Sequence, residues 1–342
     1  MKRRIIAGLA LSAVVTAVGA AAAHWQVVQR WQIGGDGGWD DLTFDSVAQH
    51  LYISRSDRMI VLDARDGKKI GEVDGLSGVH SIAVADALHR GFISNGRSDT
   101  ATVFDPSSLK VLQTIPVGGH NPDAILYDPD SKRVLTFNGH SDNASVIDAA
   151  SGKMLGTIAL PGKPEFAVSD GKGRVYDNIE DKGELVEIDP RAMKVLATWQ
   201  LKNCVQPSGL AIDAAHRRLF SVCQDNVMAV TDADSGRPVG SVPIGDGPDG
   251  AGFDPRRQLV FSSNGESGTL TVVHEDDPDH YRVVTNVPTQ KSARTMTLNP
   301  QSGEIYSPAA KFGPKPAPSA DNPRARPPVL AGSFTILVVG EK

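Results

Sequence analysis

Residues 121–160, NPDAILYDPDSKRVLTFNGHSDNASVIDAASGKMLGTIAL, contain four short apolar runs separated by turn sequences. The runs cover 124–127, 134–137, 144–147 and 154–160, and the segments between them are rich in Asp, Asn, Gly and Ser. Glycine supplies positive φ and Asx side chains cap their own backbone, so these segments favour tight turns. Apolar runs of this length between turns predict four antiparallel strands rather than helices.

The opening segment of this unit, PDAILYD at 122–128, recurs along the whole chain. Its counterparts are WDDLTFD (39–45), VHSIAVA (79–85), PEFAVSD (164–170), PSGLAID (207–213), PDGAGFD (248–254) and ARTMTLN (293–299). Successive starts are 40 to 45 residues apart. Four strands at this period, repeated seven times, predict an all-β fold, a seven-bladed β-propeller with four antiparallel strands per blade. Because the array is radial, we expect one domain over residues 24–342.

The two ends of the chain supply parts of one blade. The last unit has three apolar runs, at 295–298, 304–307 and 333–339, and lacks a fourth. The run at 25–33, with the two glycines after it, resembles the end of a unit such as VLQTIPVGG. We therefore expect the N-terminal strand to complete the last blade, which closes the ring and removes an exposed sheet edge.

These units resemble the YVTN-type β-propeller repeat, which is found in YncE-like periplasmic proteins, archaeal surface-layer proteins and phosphogluconolactonase-like enzymes. The resemblance rests on PDAILYD, RVLTFNG, ASVID and GTIALPG in the third unit and on GFISNG, ATVFD and QTIPVGG in the second, and it covers residues 25–342. It implies the propeller fold. For function it implies either a non-enzymatic binding or scaffold protein or a lactonase-type hydrolase, because the repeated residues build blades rather than a site. We favour the binding protein.

Residues 1–23 have the pattern of a secretory signal peptide. A cationic KRR triplet precedes an apolar stretch, and small residues form a cleavage site between Ala23 and His24. We expect removal of this leader and a periplasmic or secreted product. The alternative is an uncleaved membrane anchor, because residues 5–23 are long enough to cross a bilayer.

The charge of the chain limits its partners. The net charge is −5, and removal of the three leader cations leaves −8. An acidic surface argues against nucleic acid or an anionic membrane as the main partner. We expect a monomer that binds a protein, a peptide or a small molecule, that has no membrane span after cleavage and that requires no cofactor.

The chain has two cysteines, Cys204 and Cys223. In a propeller, the connections between blades and the loops between second and third strands lie on one face, which we call the top face. Cys204 falls in the first kind of loop and Cys223 ends a second strand, so both should lie at the top of blade five. In an oxidising compartment they would form a disulfide, and the alternative is two buried thiols.

The second residue of each opening segment should point to the mouth of the central channel on the top face. These residues are Asp40, His80, Asp123, Glu165, Ser208, Asp249 and Arg294. We expect all of them except Ser208 to bind the ligand, together with His120. The alternative interpretation is that they cap solvated loops. In the hydrolase interpretation, the top-face His and acidic residues act as acid and base, with His80, Asp123, Glu165 and Arg294 as members.

A transition-metal site is a further hypothesis. His80, His120 and His140 fall in predicted top loops of blades two and three, and imidazoles with carboxylates suit Zn, Cu, Ni or Fe. The alternative is three polar loop residues that never meet. The string VVHEDDPDH at 272–280 is predicted to be a solvated acidic turn on the opposite face.

The last blade carries one insertion, the Pro-rich segment 308–328. Its seven prolines keep it extended and without a core of its own. Because it starts on the top face, it is either an arm over the channel mouth or a surface excursion.

Overall fold

The computed structural model describes residues 24–317 and 327–342, which form seven four-stranded antiparallel sheets. The first strand of each sheet contacts the first strands of the two neighbouring sheets, so the sheets are blades around a central channel. This confirms the predicted seven-bladed propeller. The predicted leader, residues 1–23, lies outside the described residues. Within the described residues, no helix has the length and apolar character needed to cross a membrane.

The strand bounds follow the repeat closely. In chain order the strands are β1 (Trp25–Gln32), β2 (Leu42–Asp45), β3 (His50–Arg55), β4 (Arg58–Asp63), β5 (Lys69–Val73), β6 (Val79–Ala85), β7 (Arg90–Asn95), β8 (Thr100–Phe104), β9 (Val111–Pro116), β10 (Pro122–Asp128), β11 (Arg133–Asn138), β12 (Asn143–Asp148), β13 (Met154–Ala159), β14 (Pro164–Ser169), β15 (Val175–Ile179), β16 (Glu184–Asp189), β17 (Lys194–Gln200), β18 (Pro207–Asp213), β19 (Arg218–Cys223), β20 (Val227–Asp232), β21 (Pro238–Pro243), β22 (Pro248–Asp254), β23 (Leu259–Asn264), β24 (Thr269–Asp277), β25 (His280–Pro288), β26 (Thr297–Leu298), β27 (Ile305–Ala309) and β28 (Thr335–Glu341). Two short 3-10 helices occupy Asp86–Leu88 and Glu180–Lys182.

Blades one to six use consecutive strands, from β2–β5 to β22–β25, and blade seven closes the ring. Its sheet has the order β1-β28-β27-β26, so the N-terminal strand is the outermost strand of the last blade, as predicted. Beyond the paired strands, the backbones of His24 and Lys342 exchange two hydrogen bonds of 3.3 and 3.1 Å. The closure gives blade seven four strands, like its neighbours, so its third strand is paired on both sides.

Burial explains why the strands have different sequence patterns. The second strand of each blade is covered by a neighbouring blade on each face of its sheet, and β19 is buried over its whole length. Their aromatic residues, such as Phe137 and Phe220, are fully buried, and each such side chain contributes roughly 1.5–3 kcal/mol. Outer strands face solvent on one side, and β17 alternates between exposed and half-buried residues.

The top face carries the disulfide and the stem of the insertion. Cys204 and Cys223 are bonded, as predicted. The two sides of the insertion pair near its base, where Leu330 N donates to Lys311 O and Gly313 N to Pro328 O, both at 2.8 Å. The middle of the insertion, 318–326, lies outside the described residues, so the arm hypothesis stays a prediction.

Candidate functional site

A cavity of about 340 Å³ lies at the top mouth of the channel. All seven residues at the second position of the opening segments line it, so each blade contributes one side chain: Asp40, His80, Asp123, Glu165, Ser208, Asp249 and Arg294. The sequence repeat thus predicts which side chains reach the mouth. We call this cavity the funnel.

A backbone irregularity aims these side chains at the funnel. In five blades the register between the first and second strands shifts directly after the first residue, as between Pro122 and Ile125 in blade three. A bulge of this kind releases a residue from the ladder and turns its side chain. In blade two, the buried Ser94 of the second strand satisfies the released backbone, since its Oγ accepts from Ser81 N at 2.9 Å. Blade one has no such shift because its first strand starts only at Leu42, and there Ser54 Oγ accepts from Asp40 N at 2.9 Å.

Side chains from neighbouring blades form ion pairs and hydrogen bonds around the mouth. Arg294 of blade seven donates to Asp249 of blade six and to Asp40 of blade one. His80 Nδ1 donates to Asp40 and lies 3.0 Å from Asp123 Oδ1. Ser208 Oγ donates to Asp249 Oδ1 at 2.6 Å. These contacts form an almost continuous polar ring that links blades five, six, seven, one, two and three.

Blade four adds a cation of its own. Lys163 Nζ donates to Glu165 Oε1 at 2.5 Å and also to Glu180. The funnel is then lined by six carboxyl groups and by only three basic side chains, His80, Lys163 and Arg294. The site therefore carries an excess of negative charge when its carboxyl groups are ionised.

The carboxyl groups of the funnel have widely different pKa values. Burial disfavours the ionised form of Asp40, but hydrogen bonding by His80 and the charge of Arg294 lower its pKa to about 2. Burial raises the pKa of the adjacent Asp41 to about 7. Burial and the neighbouring charge of Asp123 raise the pKa of Glu165 to about 8. Near pH 7 the funnel therefore holds a firmly ionised carboxylate, Asp40, beside Asp41, which is partly ionised, and Glu165, which mainly keeps its proton.

His80 is a cation rather than a base at neutral pH. Burial disfavours the charged imidazole, but the hydrogen bonds to Asp123 and Asp40 raise its pKa to about 10. A protonated imidazole has no free lone pair, so it cannot take a proton from a substrate. This removes the general-base role that the hydrolase interpretation would give to His80.

Two of the predicted site residues do not reach the funnel. His120 does not line the cavity: its side chain is 72% exposed, and its Nδ1 donates to Asp99 at 2.8 Å. His140 is exposed. Over residues 24–317 and 327–342, the clusters with metal-ligand spacing do not include His80, His120 and His140 together. His120 therefore lies outside the funnel, beside Asp99, and its predicted part in ligand binding stays a prediction.

Sequence reasoning missed other lining residues, among them Asp41, Lys163, Glu180 and Gln224. Glu180 and Gln224 directly follow second strands, where the connecting loop returns to the top face. The same argument that placed Cys223 on this face could have found them. Lys163 immediately precedes the opening segment of its blade and could have been found from that position.

A second, larger concavity adjoins the funnel. It has a volume of about 1220 Å³, shares Arg294 with the funnel and is lined by Trp39 and Phe312. The two rings lie 5.9 Å apart between centroids, and Phe312 is 45% exposed. Trp39 Nε1 is buried and has no hydrogen-bond partner among the residues that the structure describes. We call this concavity the rim groove.

Comparison with known proteins identifies the fold and no family. No protein-family model matches the chain, and no curated protein sequence matches it. Among solved structures, it is similar to hydrazine synthase of Kuenenia stuttgartiensis, with a TM-score of 0.68 and 18% identity over 80% of this chain and 92% of that one. It is also similar to the WD40 repeats of RRP9 (TM-score 0.75, 10% identity, 93% and 100% covered) and to a chain of the mitotic checkpoint complex (0.74, 11%, 99% and 99%). At these identities the likeness extends to the β-propeller architecture alone.

Proposed function

We propose that this chain is an exported, non-enzymatic binding propeller of the YncE-like type, whose funnel takes a positively charged group of a peptide, partner protein or small molecule. The observation that carries the proposal is the convergence of one side chain from every blade on a cavity with six carboxyl groups and three basic groups. A cationic group in this cavity would favour the ionised forms of Asp41 and Glu165, whose pKa values burial raises, and would then receive charge-assisted hydrogen bonds from their carboxylates. The propeller fold, which commonly binds proteins, supports the same class of function.

The rim groove extends this site. Trp39 and Phe312 offer apolar rings next to the funnel. A ligand with a cationic end and an apolar neighbouring group would fill both concavities across Arg294. Aromatic anchors in pockets dominate many protein–peptide contacts.

Calorimetric titration with three capped dipeptides tests this proposal. The probes are N-acetyl-phenylalanyl-lysine amide and its norleucine and glutamate analogues. We expect the lysine probe to bind at least ~10-fold more tightly than the other two, which corresponds to about 1.4 kcal/mol. Asp123→Asn should weaken the lysine probe only, and Asp66→Asn, an exposed carboxylate in a turn, serves as the control. Equal affinity for all three probes would refute the proposal.

The split pKa values favour a hydrolase as the second candidate. His80 and Arg294 lower the pKa of Asp40 to about 2 and burial raises that of Asp41 to about 7, so the two neighbouring carboxyl groups could act as electrostatic stabiliser and proton donor. The test is the release of acid from a sugar-acid lactone in a pH-stat. Turnover that disappears in Asp41→Asn and persists in Asp66→Asn would favour the enzyme.

Export is a separate part of the proposal. The disulfide between Cys204 and Cys223 supports an oxidising compartment, where such bonds persist. Intact-mass measurement of the protein from its native host tests this. We expect the mature chain to begin at His24, whereas a full-length chain starting at Met1 would refute cleavage.

A further inference from the structure

A second cluster of two carboxyl groups and one imidazole lies at the end of the blades opposite the funnel. It joins Asp213, the last residue of β18, and His216, in the turn that follows, to Glu275 of β24, so it spans blades five and six. His216 Nδ1 donates to Asp213 Oδ2 at 2.6 Å and lies 3.7 Å from Glu275 Oε1. We call it the lower cluster, and it has no part in the proposed function.

The Asp213–His216 half of the cluster is a variant of a turn found in several blades. Asp213 Oδ1 accepts from the backbone N–H groups of Ala215 and His216, which fixes the turn. Blade six has the same turn, and there the fourth residue is Arg257, whose Nη1 donates to Asp254 Oδ2 at 2.8 Å. In blade six a permanent cation thus compensates the capping carboxylate, whereas in blade five an imidazole takes that place.

Glu275 occupies a position where three other blades have alanine. Its backbone N–H donates to the carbonyl oxygen of Gln258, which precedes a second strand. The same hydrogen bond is made in other blades by three buried alanines: Ala64, Ala149 and Ala233. Blade six therefore holds a carboxyl group where its neighbours need only a methyl group, and a blade does not require it.

The carboxyl group of Glu275 is buried and incompletely satisfied. Its side chain is fully buried, and Oε2 has no hydrogen-bond partner in the described part of the chain. The prediction that the acidic string at 272–280 is solvated was wrong for Glu275, because β24 extends to Asp277 and carries it inward. Burial of a carboxylate without a compensating partner is costly.

Arg218, a fixed cation that shares the Pro278 carbonyl group with Tyr281, is already engaged by other groups. Arg218 pairs with Asp232 at 2.9 Å and with Asp279 at 3.2 Å, and it donates to Pro278 O at 2.8 Å. Tyr281 OH donates to Pro278 O at 2.7 Å and lies 3.4 Å from Glu275 Oε1. Compensation for the two carboxyl groups would therefore come from His216, from a bound proton or from an added ion.

We propose that the lower cluster binds a first-row transition-metal dication such as Zn²⁺, with Asp213, His216 and Glu275 as ligands. One ligand atom from each residue lies within 4.8 Å of the other two. Zn–N and Zn–O bonds are about 2.0–2.2 Å, so small side-chain movements bring these atoms to one ion. A nitrogen and two carboxylate oxygens suit Zn²⁺ or Mn²⁺ better than Ca²⁺ or Mg²⁺. His216 is 42% exposed, which leaves a path from solvent.

Calorimetric titration of Zn²⁺ into the chelator-treated, untagged protein tests this proposal. We expect one Zn²⁺ per chain, with the affinity lowered by at least ~100-fold in His216→Ala and in Glu275→Ala, which exceeds the usual effect of losing an outer partner. His280→Ala is the matched control, because His280 is an exposed neighbour on the same face that pairs with Asp277 at 2.8 Å. His80→Gln is the control for the funnel.

Each ligand variant that folds must give the same answer. Alanine at position 275 reproduces the residue of three other blades, so this variant keeps the proposal testable if His216→Ala fails to fold. Cobalt(II) absorption supplies a second readout, since its visible bands report ligation and should vanish in both variants. An absence of Zn²⁺ binding would overturn the proposal. Binding that persists in both variants, or that disappears in His280→Ala or His80→Gln instead, would overturn it as well.

Discussion

The funnel and the lower cluster use the same three groups in opposite ways. Each places one imidazole between two carboxyl groups: His80 between Asp40 and Asp123, and His216 beside Asp213 and Glu275. At the funnel, Arg294 also reaches Asp40, and His80 is held as a cation. At the lower cluster, an oxygen of a fully buried carboxyl group has no partner among the described residues.

The difference teaches how a propeller acquires sites. The funnel is a collective feature, because the same position of every blade meets at the axis and neighbours compensate each other around the ring. The lower cluster depends on two local departures from the repeat, a histidine in one turn and a glutamate in place of an alanine. The first arrangement stabilises itself, whereas the second leaves its compensation to a ligand.

The largest expected effect is a loss of stability at high pH that originates in the funnel. The folded-state pKa of His80, about 10, lies above the ordinary 6.5, so this group stabilises the fold fully below pH 6.5 and loses that contribution as the pH rises through 10. Glu165, raised to about 8 by burial and the charge of Asp123, acts in the same direction between pH 4.5 and 8. We expect the free energy of unfolding to fall by on the order of 7 kcal/mol between pH 6 and 10, about 4 kcal/mol of it from His80 and about 3 kcal/mol from Glu165, since each pKa unit is worth about 1.4 kcal/mol.

Urea denaturation at intervals of one pH unit measures this loss. His80→Gln should flatten the fall between pH 7 and 10, and His216→Gln should leave it unchanged. If the two variants follow the same curve, the funnel does not differ from the lower cluster in the way its imidazole is held.

The next effect comes from the disulfide, the covalent tie of the top face. Cys204 and Cys223 enclose a segment with a sequence separation of 19, and Gln224 beside them lines the funnel. Replacement of both cysteines by alanine should lower the free energy of unfolding by about 3 kcal/mol, because the unfolded chain regains the entropy of that loop. Affinity for the lysine probe should fall, whereas Zn²⁺ affinity at the lower cluster should not change.

Thiol titration of the denatured, unreduced protein is the control for the disulfide. We expect no free thiol in the native sequence. Two free thiols, or equal losses of affinity at the two ends of the blades, would contradict the assignment of this tie to the top face.

The removal of Arg294 should lower the free energy of unfolding by less than the loss of the disulfide does. Arg294→Met leaves Asp40 and Asp249 without their shared cation in a partly buried site. We expect a loss of about 2 kcal/mol, below the roughly 3–5 kcal/mol of a fully buried pair, because 39% of the Arg294 side chain is exposed and solvent screens the charge. Urea denaturation at pH 7 measures it, and Arg65→Met, which breaks the exposed pair with Asp63, should show no loss.

The contrast between the two sites also explains what the sequence could predict. The strands, the ring closure and the seven funnel residues follow from a repeat of 40 to 45 residues, since a fixed position in each unit must reach the same part of each blade. The pairing of Cys204 with Cys223 follows from the same argument. The contacts among the funnel residues could not be predicted in this way, because the side chains that meet, such as Arg294 and Asp40, come from opposite ends of the chain.

The lower cluster could not be predicted from the sequence repeat. Its residues come from different positions in two units, and Glu275 looks like one acid in an exposed acidic string. Only the register of β24 against β23, in which Leu259 faces His274, reveals that Glu275 takes the place of the buried alanines. A closer alignment of third-strand ends could have identified the position, but not the burial of its carboxyl group.

The smallest expected effect on stability is that of Glu275→Ala in the metal-free protein. The variant removes a buried carboxyl group with an unpartnered oxygen, which is favourable, and it leaves a small cavity, which is unfavourable. Because alanine fills this position in three other blades, we expect the free energy of unfolding to change by less than about 1 kcal/mol. Addition of Zn²⁺ at 100 times its dissociation constant should stabilise the native sequence by about 2.7 kcal/mol and leave the variant unchanged.

This last pair of measurements decides whether the two sites differ in kind. A residue that holds the fold together, as Arg294 does, costs stability whenever it is removed, with or without an ion. A residue kept for a ligand costs little without the ligand and removes the whole response to it. If Glu275→Ala destabilised the metal-free protein as much as Arg294→Met does, Glu275 would be a structural member of blade six. The lower cluster would then be a second self-compensating network like the funnel, and not a metal site.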